Sequence, residues 1–183
     1  MKDIEIFTDL SIAERLSRKA SQLLIDIREE HDLSAWEFTK NIRIAPFEIP
    51  HSHPVLTLNT RNNEDPDAFL AVYLHEQIHW GISLHRQQEV DELINPLHEY
   101  YPSLQTSNWG VAPDIYSTYL HIVVNWLEVY ALSGFLGDAA AEETVRRSPV
   151  YQKIYDLVLK DSDKIQEMLE HADILPFPSA ELL

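Results

Sequence analysis

Apolar residues recur at helical spacing over Ile12, Leu16, Ala20, Leu23, Leu24 and Ile27, directly after Ser11-Ile12-Ala13-Glu14, which has the form of a capping box. The pattern predicts a long amphipathic first helix ending near Glu29-Glu30. The period then changes. Trp36 to Ala45 and Pro54 to Thr60 have alternating or β-branched character and are separated by Pro46, Pro50, His51 and His53, which predicts two strands of a small sheet. Asp65-Pro66-Asp67 offers an N-cap, a first-turn proline and a second acid for the helix dipole. A helix from about Pro66 to Trp80 follows, with Gly81 as its expected stop. Between Arg86 and Gly110 the pattern weakens into a short helix and a loop. Pro113-Asp114 opens a helix to about Ser133, and Pro149 opens a final amphipathic pair through Ala172, broken near Asp161-Ser162-Asp163. The tail Leu175-Pro176-Phe177-Pro178 is not helical.

With 183 residues the chain has room for one ordinary core, so a single domain over residues 1–183 is expected, α+β in class and predominantly helical. Thirty acidic against fourteen basic residues give a net charge of −16, which argues against nucleic acid and anionic membrane surfaces as partners. Cysteine is absent, so disulfides, thiol catalysis and thiolate metal sites are excluded together, and any metal must be held by nitrogen and oxygen. The N-terminus carries acids early and has no apolar segment of secretory type, which points to a cytoplasmic location. The most apolar stretch, Ile115 to Leu136, contains His121, Asn125 and Glu128, each costly in hydrocarbon, and reads as a buried helix.

The chemistry concentrates in His75-Glu76-Gln77-Ile78-His79, an H-E-x-x-H sequence inside the bounded helix. Side chains four apart share one helix face, so both imidazoles can reach a single Zn²⁺ ion. Glu76 is offset by about 100°, beside the ion, where its carboxylate can take a proton from a metal-activated water and pass it to a leaving group. Ala68, Ala71 and Val72 share the face of the two histidines and would wall the site with small apolar groups. A third ligand is required, because a catalytic zinc takes three protein ligands and keeps one position for water. Candidates lie on the predicted Asp114–Ser133 helix, apolar except for a stripe of Thr118, His121, Asn125 and Glu128 at spacings of three and four. A buried polar stripe needs partners.

The motif, with a helix and a small sheet ahead of it, resembles the zincin metallopeptidases over residues 11 to 85. The resemblance implies a backing helix, a small sheet and an active-site helix, a peptide or protein substrate, and Pro54 to Thr60 as an edge strand that pairs with extended peptide. Similarity to the gluzincin branch favours Glu128 as the third ligand beside His75 and His79, with His121 nearby as a hydrogen-bonding or oxyanion-stabilising group. His121 and His85 remain alternatives. His85 lies ten residues after His75, as in the metzincin branch, but without that branch's glycine or methionine turn. Tyr100, Tyr101, Trp109, Tyr116, Tyr119 and Tyr130 are candidates to cover the cleft. The expected protein is therefore a zinc metallopeptidase with Glu76 as general base. The alternative is a zinc-stabilised interaction or sensing module without catalysis.

Overall fold

The computed structural model describes residues 12–104 and 110–177. Ser11, the first residue of the expected capping box, Trp109 and Pro178 lie outside these ranges. The chain runs through α1 (Ile12–Glu30), a single 3-10 turn (Ser34–Trp36), β1 (Ile42–Ile44), β2 (Leu56–Leu58), α2 (Pro66–His85), α3 (Gln87–Tyr100), α4 (Ile115–Leu136), α5 (Asp138–Arg146), α6 (Gln152–Lys160) and α7 (Ser162–His171). The described residues are mostly helical with a small two-stranded parallel sheet, a helical α+β arrangement.

α4 is the central helix, packed against α2, α3, α5, α6 and α7. Its side chains explain the position. Ile122, Val123, Val124 and Leu127 are fully buried, so apolar surface on nearly every side is covered by another helix. By length and composition α4 could cross a membrane, but 61% of its most apolar window is buried inside the protein. Asp114 caps it, accepting a hydrogen bond from the Ser117 amide at 2.7 Å. Asp65 caps α2 in the same way, accepting from the Ala68 amide at 3.1 Å, with Pro66 at the first helical position.

Four expectations are corrected. α2 does not stop at Gly81 but continues to His85. Gly81 serves close packing instead: a Cβ there would stand 2.6 Å from the rings of both Phe38 and Phe177. The short helix expected after Arg86 is present but longer, fourteen residues as α3, and carries Pro96 within it. An additional helix, α5, follows Gly137, which takes a left-handed φ of 83°. The first expected strand is reduced to Ile42–Ile44, because Trp36 lies in the 3-10 turn and the backbone amides of Phe38 and Thr39 donate to the Gln77 side chain.

The outer side of β2 is partly occupied. β1 and β2 pair in parallel, Ile42 opposite Leu56 and Ile44 opposite Leu58, and all three β2 residues are buried. On the other side of β2, Thr57 exchanges two hydrogen bonds with His51, at 2.8 and 3.1 Å. The expected pairing of a peptide along this strand is thus blocked at Thr57 by the chain's own loop.

Candidate metal centre

α2 presents two faces to the interior. Tyr73, Gln77 and Gly81, spaced by four, face the turn before β1, and His75 and His79 face α4. On the α4 side, one potential ligand atom from each of His75, His79 and His121 lies within 4.8 Å of the others. His75 and His121 are buried and His79 is half-buried. The rings interleave: His75 and His79 meet edge-on at 5.0 Å, His79 and His121 at 5.1 Å, and His75 stacks on His121 at 5.4 Å.

Hydrogen bonds fix which nitrogens are free. His75 Nδ1 is 2.8 Å from Glu128 Oε2, and His121 Nδ1 is 2.6 Å from the Ser117 carbonyl. A carbonyl only accepts, and a carboxylate accepts when ionised, so both Nδ1 atoms carry the proton and both Nε2 atoms are left as lone-pair donors. Glu128 is held in turn by the Tyr155 hydroxyl, which donates to its two oxygens at 2.9 and 2.8 Å. The sequence pattern favoured His75, His79 and Glu128 as the ligand set. The structure brings His75, His79 and His121 together and sets Glu128 behind His75. A carboxylate on the far nitrogen of an imidazole orients the ring and raises its basicity as a metal ligand. His85 is apart from this group, with its ring 6.0 Å from Phe38.

The electrostatics suit a cation. Burial lowers the pKa of His79 well below its ordinary value, with the charges of His75, His121 and His53 adding to the effect. Burial and the neighbouring His75 take His121 down to about 3, against the opposing hydrogen bond to the Ser117 carbonyl. Both imidazoles are therefore neutral near pH 7, the form that ligates. Burial works against His75 as well, but the hydrogen bond and charge of Glu128, helped by Glu76, raise its pKa. Three converging imidazoles, two of them buried and held by hydrogen bonds at Nδ1 and one backed by a carboxylate, fit a metal ion, and a nitrogen donor set of this kind suits zinc. Among the described residues no fourth histidine or carboxylate joins the group.

Glu76 is buried beside the cluster. Burial raises its pKa, and Glu128 adds to the shift while His75 and His51 oppose it. It lines a cavity of ≈ 230 Å³ that also touches His75, Glu128, Tyr151 and Tyr155, and whose walls include Ala68, Ala71 and Val72 as the sequence suggested. Tyr151 and Tyr155 were not among the aromatics singled out from the sequence. Tyr151 has a left-handed backbone, φ 56°, just before α6, and its ring stacks on His121 at 4.1 Å. Burial and the charges of Glu76 and Glu128 push its hydroxyl up to about 12, so it stays a donor at neutral pH. The only cue in the sequence is an aromatic two residues after Pro149. Asn125, between His121 and Glu128 on α4, is fully buried, and neither of its amide atoms is hydrogen-bonded to a described residue.

Comparison with profiles of known protein families, with curated proteins and with solved structures found no match.

Proposed function

We propose that the protein is a zinc-dependent hydrolase of zincin type that cleaves peptide bonds, with His75, His79 and His121 as metal ligands and Glu76 as general base and acid. The observation that carries this reading is the convergence of three imidazoles from α2 and α4 beside a buried carboxylate that faces a cavity. The order α1, sheet, H-E-x-x-H helix supports the zincin resemblance. The roles expected for Glu128 and His121 exchange: His121 ligates and Glu128 positions His75.

Zinc, when bound, supplies Lewis-acid activation of water and of the substrate carbonyl. The residues of this chain supply the rest. Glu76 receives the proton of the attacking water as the carbon–oxygen bond forms, then delivers it to the amide nitrogen as the carbon–nitrogen bond breaks, leaving a carboxylic acid and an amine. Its raised pKa makes it a better proton carrier than a solvated carboxylate. Glu128 and Tyr155 hold the tautomer and orientation of His75. Tyr151 donates a hydrogen bond to the oxygen that gains negative charge. A closed structural zinc site requires four protein ligands; the group here has three, which favours catalysis over a purely structural role.

The test is a zinc-loaded protein incubated with a quenched fluorescent peptide library. Wild type is expected to cleave members of it, and Glu76→Gln to keep its zinc while losing about 10²-fold to 10⁴-fold in turnover. Undiminished cleavage by Glu76→Gln, or no cleavage by zinc-loaded wild type, overturns the proposal.

A further inference from the structure

The ≈ 230 Å³ cavity extends from His75 and Glu76 along α2 to its N-terminal end at Ala68 and Asp65. Eight residues of helix separate Ala68 from Glu76, about 12 Å of rise. An extended chain at ~3.3 Å per residue covers that distance in about four residues. The middle of the cavity is apolar, with Ala68, Ala71, Val72 and Val145 in its wall. Two further lining residues, Ile49 and Val150, are 80% and 49% exposed, large aliphatic side chains left in solvent beside the opening.

The end away from His75, the one histidine of the cluster that lines the cavity, carries charges of both signs, Asp65 among them. Arg147 and Arg61 both line it. Arg147 is engaged, bridging Glu143 at 2.9 Å and Asp65 at 3.1 Å. Arg61 is exposed, and its guanidinium makes no hydrogen bond or ion pair with any described residue. Only its backbone amide is used, donating to Asn59 Oδ1 at 3.1 Å. A guanidinium left without a partner at the end of an apolar cleft is complementary to a carboxylate.

We infer that the cavity binds an extended peptide segment, apolar in its middle and carrying a carboxylate about four residues from the bond to be cut, with Arg61 as the partner of that carboxylate. The inference rests on the hydrolytic reading for the position of the cut bond. The carboxylate is either a chain end or an acidic side chain, and the two are separable.

The experiment uses zinc-loaded Glu76→Gln protein and fluorescence anisotropy at low salt. Three labelled hexapeptides of alternating alanine and leucine serve as probes: one with a free C-terminal carboxylate, one amidated, and one amidated with aspartate as its last residue. At least one carboxylate peptide is expected to bind about fivefold more tightly than the neutral amide, with the difference shrinking at high salt. Gain by the first alone assigns the chain end, gain by the third alone assigns a side chain, and gain by both assigns the charge without regard to source. Arg61→Gln added to this background should abolish the preference, and Arg61→Glu should transfer it to an amidated peptide ending in lysine. Equal binding of the three probes, binding of none, or a preference that survives Arg61→Gln overturns the inference. Carboxylate-dependent binding without cleavage by wild type leaves the cleft standing and removes the hydrolytic reading. Cleavage by wild type without a carboxylate preference does the reverse.

Discussion

The two interior faces of α2 carry buried polar groups of similar number and opposite completeness. Toward the turn before β1, Gln77 uses its whole amide: Nε2 donates to the Thr39 carbonyl at 2.8 Å and to the Tyr73 hydroxyl at 3.0 Å, and Oε1 accepts from the amides of Phe38 and Thr39. Tyr73 donates in turn to Glu37 at 2.7 Å, and Glu37 pairs with Arg28 at 2.6 Å. Every member has a partner inside the chain. Toward α4, the two Nδ1 atoms are fixed, but the Nε2 atoms of His75 and His121 and both ring nitrogens of His79 enter no hydrogen bond among the described residues. The groups around Gln77 are satisfied within the chain, whereas the free histidine nitrogens meet no described protein partner and are not enclosed, so the first face holds the helix and the second is where a ligand could bind.

Substitutions on the two faces should therefore fail in different ways. The largest effect belongs to Glu76→Gln on the open face, about 10²-fold to 10⁴-fold in turnover with zinc content and melting temperature unchanged. Gln77→Leu on the closed face should do the opposite. It leaves the Phe38 and Thr39 amides without their acceptor and is expected to lower unfolding free energy by about 3 kcal/mol in urea titration, with zinc stoichiometry intact. Equal loss of zinc in Gln77→Leu and in the histidine variants would erase the distinction between the faces. Smaller again is Glu128→Gln, which keeps a hydrogen-bond acceptor on His75 but removes the charge, and should weaken zinc by about tenfold to 100-fold in a competition titration with a chelating dye.

The metal-free protein should also show the open face in its pH dependence. The unfolded chain protonates these imidazoles near the ordinary 6.5, whereas burial holds His79 well below that and His121 at about 3. Stability that is present above pH 6.5 is then lost progressively as pH falls toward about 3. His75 and Glu76, whose pKa values are raised, act in the opposite sense, their contributions being lost as pH rises, and the large downward displacements of His79 and His121 set the expected net direction. Urea midpoints in chelator should drop between pH 7.5 and pH 5, and added zinc should steepen the dependence, since protons and metal compete for the same lone pairs. A midpoint that does not move over that range would show that the cluster is solvated.

How far the sequence reached follows the same division between local and tertiary causes. Caps at Asp65 and Asp114 are local chemistry, and the helices they open stand where the spacing put them. The H-E-x-x-H pair needs only one turn of helix to share a face, so it too was legible. The stripe of Thr118, His121, Asn125 and Glu128 was visible as a stripe. Which member meets α2 depends on how far α4 slides along it, a packing quantity that no helical wheel contains. Gly81 looked like a stop because glycine often ends helices, yet its cause is the approach of Phe38 and Phe177. Those rings come from segments far away in the chain, so nothing local announces them. Tyr151 was missed for a similar reason. Its left-handed backbone and its place over His121 are set by how α6 follows α5, and a non-glycine residue gives no local sign of either.

Whether His121 ligates the metal while Glu128 positions a ligand is tested most directly by zinc content. Wild type, His121→Ala and Glu128→Gln would be purified identically without a metal-affinity tag, loaded with zinc, desalted and measured by elemental analysis beside circular dichroism to confirm folding. About one zinc per chain is expected in wild type, little in His121→Ala, and retention in Glu128→Gln that becomes incomplete only under competition. Full zinc in a folded His121→Ala, with loss in Glu128→Gln, would contradict this assignment and return Glu128 to the ligand set.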